Sequence, residues 1–109
     1  MATAPGPAHL FRGLGWADWG CGRPSDPNGD VGPVHYLQAV NCSIGIFDKS
    51  SGSLLAATTL NGLAAATGTA TGTACDAHNE GDPVVVYDTF GDRWIVTDFA
   101  FTRDPVTGK

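Results

Sequence analysis

The chain has 109 residues, among them 15 Gly and 7 Pro, with 16% charged residues and a formal net charge of −5. That length holds one small domain, and the Gly and Pro content favours short strands and turns over long helices. The six basic residues are scattered, which excludes the clustered Lys/Arg surface a nucleic-acid binder needs. No membrane span is expected either, because the longest weakly polar run, Leu54 to Ala66, is broken by Thr58, Thr59, Asn61 and Gly62.

In chain order, residues 1–10 are rich in Pro and Ala and are expected to be disordered or loosely draped. They carry neither a basic n-region nor an apolar h-region, so no signal peptide is expected in this chain. Phe11 to Trp19 holds three aromatics and is expected to dock on the fold. Residues 20–33, with several Gly and Pro, are predicted to be a long turn-rich loop. His35–Asn41 and Ser43–Asp48 are predicted strands, and Lys49–Ser53 a hairpin turn with Gly52 at positive φ. Leu54–Leu60 is the predicted returning strand. Asn61–Ala66 is a candidate helical turn, and Thr67–Thr73 a loop. Val84–Tyr87 reads as a strand covered on both faces, Thr89–Asp92 as a turn, and Trp94–Phe101 as a long strand. In that last strand Trp94 and Val96 are expected on one side, with Ile95, Phe99 and Phe101 on the other.

Two segments rhyme. Gly29-Asp-Val-Gly-Pro-Val-His-Tyr36 and Gly81-Asp-Pro-Val-Val-Val-Tyr-Asp88, the latter followed by Asp92-Arg-Trp94, each begin with a Gly-Asp turn and lead into a β-type run. A strand-turn-strand unit repeated about 50 residues on points to blade architecture, in which one unit cannot bury its faces alone. The fold class expected is all-β, with antiparallel β-propeller-type blades amounting to about one and a half units. Residues 11–109 would form a partial propeller domain, with a first blade at about 25–61 and an incomplete second at about 81–109.

The stretch Asp26-Pro-Asn-Gly-Asp-Val-Gly-Pro-Val-His-Tyr36, with Val40-Asn-Cys-Ser-Ile-Gly-Ile-Phe-Asp-Lys49 and the Gly81–Asp88 and Asp92–Trp94 motifs, resembles a family of large bacterial secreted proteins. These are β-propellers, often joined to adhesion or anchoring modules and without a settled activity. The resemblance runs from about Phe11 to Thr102. It implies a propeller fold, an extracellular or cell-surface home, and further blades, so that this chain would be an N-terminal portion. It supplies no catalytic residues. Val34 departs from the pattern, which more often has Asn there, and any ligand or cap made by that amide is lost.

Candidate sites are few. Asp26, Asn28 and Asp30 have the 1,3,5 oxygen spacing of calcium loops, making calcium the one candidate cofactor, but Val31 replaces the Gly at position six and Leu37 the acid at position twelve. The alternative is that they form Asx-turns. Asp26, Asp30, Asp82 and Asp88 could supply the carboxylate pair of a propeller glycosidase; otherwise Asp82 and Asp88 fix turns. Trp16 and Trp19, with Asp82, are candidate ligand-binding residues, since flat indole faces suit sugar rings, whereas Trp94 suits packing. His9, His35 and His78 lack metal spacing, and no serine lies in a nucleophile elbow. Asn41-Cys42-Ser43 matches a glycosylation sequon by letters only. Cys21, Cys42 and Cys75 are too widely spaced for zinc. They leave open one disulfide plus a thiol, three thiols, or a partner cysteine outside this chain; the last is favoured.

The function expected is a non-enzymatic binding or structural module of an exported bacterial propeller, with a carbohydrate or protein ligand. The alternative is a fragment of a propeller glycoside hydrolase, and a second alternative is a truncated remnant with no independent role. Partners would be other blades or, through an unpaired sheet edge and open apolar faces, further copies of the chain.

Overall fold

The computed structural model describes residues 4–108. Residues 1–3 of the expected N-terminal segment, and Lys109, lie outside the described residues; residues 4–10 form no helix or strand. The chain makes one four-stranded antiparallel sheet in the order β1-β2-β3-β4 and one two-stranded hairpin, β5-β6. The strands are β1 (Asn28–Val31), β2 (His35–Val40), β3 (Ser43–Asp48), β4 (Leu54–Thr59), β5 (Val84–Asp88) and β6 (Arg93–Thr97). Two short helices, α1 (Leu60–Ala66) and α2 (Ala74–Ala77), lie between the sheets in sequence. No closed propeller ring forms among the described residues.

Period-two alternation sorts each strand onto two faces. On β2 and β3, Leu37, Ala39, Ile44 and Ile46 point one way, toward Leu60, Val85, Trp94 and Val96. Tyr36, Val40 and Phe47 point the other way, onto Phe11 and Leu14. The N-terminal segment therefore docks on one face, as expected, through Phe11 and Leu14 while Trp16 and Trp19 stay exposed, and the hairpin with α1 covers the other. Phe11 closes an aromatic cluster with Tyr36 and Phe47, with centroids 6.0 and 5.7 Å away. The Leu14 N–H donates to Gln38 Oε1 at 2.7 Å, and the fully buried Ser43 hydroxyl donates to the Asp18 carbonyl at 2.9 Å. Cys21 and Cys42 form a disulfide with Cα atoms 5.5 Å apart, and Cys75 is an exposed free thiol. Of the readings left open, three free thiols is therefore excluded.

The turns follow their side chains. Asp48 Oδ1 accepts from the N–H and hydroxyl of both Ser50 and Ser51, which holds its carboxyl down at about 2. Gly52 sits at φ +74° against the Phe11 ring, where a Cβ would come within 2.5 Å of Cγ. Thr59 ends β4 by capping α1, its hydroxyl accepting from Gly62 N–H at 3.2 Å.

Three expectations are corrected. Residues 20–33 are not wholly loop, since Asn28–Val31 pairs with β2 from Asn28↔Ala39 to Val31↔Tyr36. The last strand stops at Thr97 rather than Phe101: Gly81 (φ 90°) and Asp82 (φ 53°) bend the partner chain before Val84, so the ladder loses its register. Phe99 stays beside that bend through backbone bonds with Gly81 and Glu80. β5 is covered on one face only; Val85 is 3% exposed, whereas Val84 and Val86 are 45% and 43% exposed.

Candidate functional site

The Asp26–Asp30 motif lies where the two sheets meet. Asn28 and Asp30 are two residues apart on β1, so both project from the face that the hairpin covers. Asn28 Oδ1 accepts the Val85 N–H at 2.6 Å and Asp30 Oδ2 accepts the Tyr87 N–H at 2.8 Å. Two side chains in alternation thus cap two alternate N–H groups along the edge of β5. Asp30 Oδ1 also takes the N–H of Val31 at 2.8 Å. The Tyr87 amide first, then that of Val31, holds the Asp30 carboxyl below its ordinary range.

Asn41 continues this polar seam. Its Nδ2 donates to Asp26 Oδ2 and to the Pro24 carbonyl, each at 2.9 Å, while its Oδ1 accepts the Asp82 N–H at 2.9 Å. Its backbone N–H donates to the Ser25 carbonyl at 2.7 Å. Beside it, Asn79 Nδ2 donates to the Cys42 carbonyl at 2.7 Å. Asn41, the sequon asparagine, therefore ties the Pro24–Asp26 loop, β2 and the approach to β5 together, and its amide is occupied.

The three candidate calcium ligands serve four separate partners: Asn41 for Asp26, Val85 for Asn28, and Tyr87 and Val31 for Asp30. Among the described residues no group of three or more His, Cys, Asp or Glu is placed to hold a metal ion. Asp88, offered as a possible catalytic acid, fixes its turn. Its Oδ1 accepts from Phe90 and Gly91 N–H, both at 3.1 Å, and its Oδ2 pairs with Arg93 Nε at 3.0 Å. The Gly91 N–H first, then Arg93, lowers its pKa. Asp82 is exposed at positive φ and contributes its backbone N–H to the seam.

Trp16 and Trp19 stand in the turn after Leu14, 55% and 59% exposed. The Arg23 guanidinium lies 5.2 Å from the Trp16 ring centre. No hydrogen bond among the described residues joins either indole to Asp82. Trp94 packs, as expected, 4.9 Å from the Tyr87 ring.

One carboxylate escaped notice at the sequence level. Asp98 Oδ1 is buried without a hydrogen-bond partner. Burial raises its carboxyl to about 6, with lesser contributions from Asp82 and Glu80, against the lowering effect of the Phe99 and Gly81 amides. Asp98 lines a cleft of about 430 Å³ with Cys75, Val96 and α1 residues Leu60 and Ala64. A second cleft of about 590 Å³ adjoins it through Leu63, Thr67 and Val96. This second cleft is floored by Ile44, Ile46, Ala56 and Thr58 and walled by Trp94 and Val96. Its lining is apolar, and neither position nor composition marked it in advance, because it arises from the mismatch between a wide sheet and a narrow hairpin.

No protein-family model matches the chain, and no curated protein or solved structure matches it.

Proposed function

We propose that the chain is a non-enzymatic structural and binding module built from propeller-type blades of an exported bacterial protein. β1–β4 is one complete antiparallel blade, and β5–β6 is the first half of the next. The observation that carries this is the pair of caps from Asn28 and Asp30 to Val85 and Tyr87. The most chemistry-like motif of the sequence acts as the joint between successive units. Apolar side chains covering both faces of the first sheet support the same reading, since a blade is sandwiched between neighbours. An extracytoplasmic home is supported by the Cys21–Cys42 disulfide.

The ligand proposed is carbohydrate, on the exposed indoles of Trp16 and Trp19. The test is retardation in gels carrying a panel of bacterial and plant polysaccharides, run beside a panel of aryl-glycosides. Retardation lost in Trp16→Ala and Trp19→Ala, with no glycoside turned over, supports the binder. Turnover abolished by Asp98→Asn would establish the glycoside hydrolase instead, a reading that the elevated Asp98 pKa favours over any pair drawn from Asp26, Asp30, Asp82 and Asp88.

A further inference from the structure

The first sheet is four strands wide and the hairpin that covers it is two. β5 is held against β1 by the Asn28 and Asp30 caps and Ile44 is buried beside Leu60, so the uncovered part of the face falls at Ile46 of β3 and at Ala56 and Thr58 of β4. That is where the 590 Å³ cleft opens.

The backbone of β6 is directed into the same place. The N–H groups of Val85 and Tyr87 point away from β6, toward Asn28 and Asp30. In an antiparallel ladder their partners Val96 and Trp94 must then turn their own N–H and C=O groups away from β5. Those groups find no hydrogen-bond partner among the described residues. The edge carries no Pro, bulge or Lys, and its one charge, Arg93, lies at the end.

We propose that the β6 edge and the adjoining cleft form a strand-addition site for an extended polypeptide strand of the β3 type, donated by a neighbouring blade-type unit. This rests on the blade reading above. The repeat indicates the occupant's chemistry. Both hairpins carry a Gly-Asp pair in sequence, Gly29-Asp30 inside β1 rather than in the expected turn and Gly81-Asp82 in the bend before β5, and in the first unit the next strand is β3, antiparallel to β2 from Val40↔Ser43 to His35↔Asp48. β3 offers Ile44 and Ile46 to the covered face with Gly45 between them. A strand of that pattern beside β6 pairs with Trp94 and Val96 and lowers two branched apolar side chains onto Ile46 and Ala56. Running antiparallel, it begins opposite Thr97, next to the carboxylates of Asp98 and Asp82, where an N-terminal amine or a Lys finds opposite charge, the nearby Glu80 being already paired with Arg103 at 3.3 Å.

A second copy of the chain does not fit. Two β6 edges joined about a two-fold axis keep the same faces aligned. Both four-stranded sheets would then lie on one side of the joined hairpins and cross. The cleft of about 590 Å³ beside β6 is bounded by Leu63 and Thr67 of the α1 segment, which leaves room for one strand but not for a folded copy. β4 also has a free edge, but its exposed Leu54 and Leu55 border no comparable cleft.

The probe is the synthetic peptide Lys-Ser-Ile-Gly-Ile-Phe-Asp, added to the intact chain while amide exchange is followed by NMR. The expected result is saturable slowing of the Trp94 and Val96 amides by about tenfold or more, with no effect of a peptide carrying Pro in place of Gly. Val96→Pro removes one outward N–H at an edge position that tolerates Pro, and Ala56→Trp fills the cleft while leaving the edge intact. Each variant should weaken binding about tenfold, and Ala56→Trp stands if Val96→Pro fails to fold. Unchanged Trp94 and Val96 exchange, with Val85 and Tyr87 still slow, overturns the strand-addition site and leaves the blade reading standing. Fast exchange at Val85 and Tyr87 overturns both. Protection of Trp94 that rises with protein concentration, without peptide, overturns the proposal in favour of self-pairing.

Discussion

Asn28→Ala removes one atom group whose role is narrowly defined. Its Oδ1 is the acceptor for the N–H of Val85, a residue 3% exposed in the cluster where hairpin and sheet meet. Alanine leaves that donor without a partner in a place that water reaches poorly, which costs about 1–3 kcal/mol. Against a total stability of about 5–15 kcal/mol for a domain of this kind, that is a large share, and it lowers Tm by about 5–15 °C. Asn28→Asp is the informative control. Among the described residues no hydrogen bond uses the Asn28 amide nitrogen, so aspartate keeps an acceptor in place and should lose less than half as much. The assay is urea and thermal unfolding of the parent and both variants, followed by circular dichroism. A loss for Asn28→Ala below about 0.3 kcal/mol, or an equal loss in both variants, would refute the capping role, because surface substitutions alone give changes of that size.

Asp98 has its pKa raised from 3.8 to about 6, so its proton is held more tightly in the folded chain. The stability this contributes is complete below about pH 4 and is lost as pH rises through about 6. Asp98→Asn should flatten the stability profile across that window and add about 1 kcal/mol at pH 7, a value reduced for the solvent screening of a part-exposed group; an unchanged profile would show that the carboxyl is not buried as described. Reduction of Cys21–Cys42, which are 21 residues apart, should cost about 3 kcal/mol in chemical unfolding, while Cys75→Ser should cost nothing measurable. Millimolar calcium should leave Tm within about 1 °C, since the oxygens of Asp26, Asn28 and Asp30 already serve N–H donors and too few are free to coordinate the ion. A rise of several degrees that disappears in Asp26→Asn would restore the calcium loop.

The strands that carry alternating apolar residues were legible in the sequence. β2, β3 and β5 fall within a residue of their expected limits, and the Asp48–Gly52 turn announces itself through its serines and glycine. β1 was not legible. Asn28-Gly-Asp-Val31 has the composition of a turn and becomes a strand because β2 pairs with it and β5 takes its side chains as caps. The caps join residues 57 positions apart, beyond the reach of any local pattern. The same distance hid the purpose of the Asp26–Asp30 motif. Its oxygen spacing is that of a cation loop, but its period of two equally matches the spacing of free N–H groups along a strand edge. Asp98 was missed for a related reason: inside the strand expected over Trp94–Phe101 it reads as one more polar residue until burial isolates one of its oxygens.

Residue-resolved hydrogen exchange on the parent chain tests the central claim most directly, because the capped edge of β5 and the open edge of β6 belong to one hairpin. Slow exchange at Val85 and Tyr87 with fast exchange at Trp94 and Val96 is the predicted pattern. Uniformly fast exchange across all four would mean that the hairpin is not stapled to the first sheet, and uniformly slow exchange that β6 already has a partner; either contradicts the account.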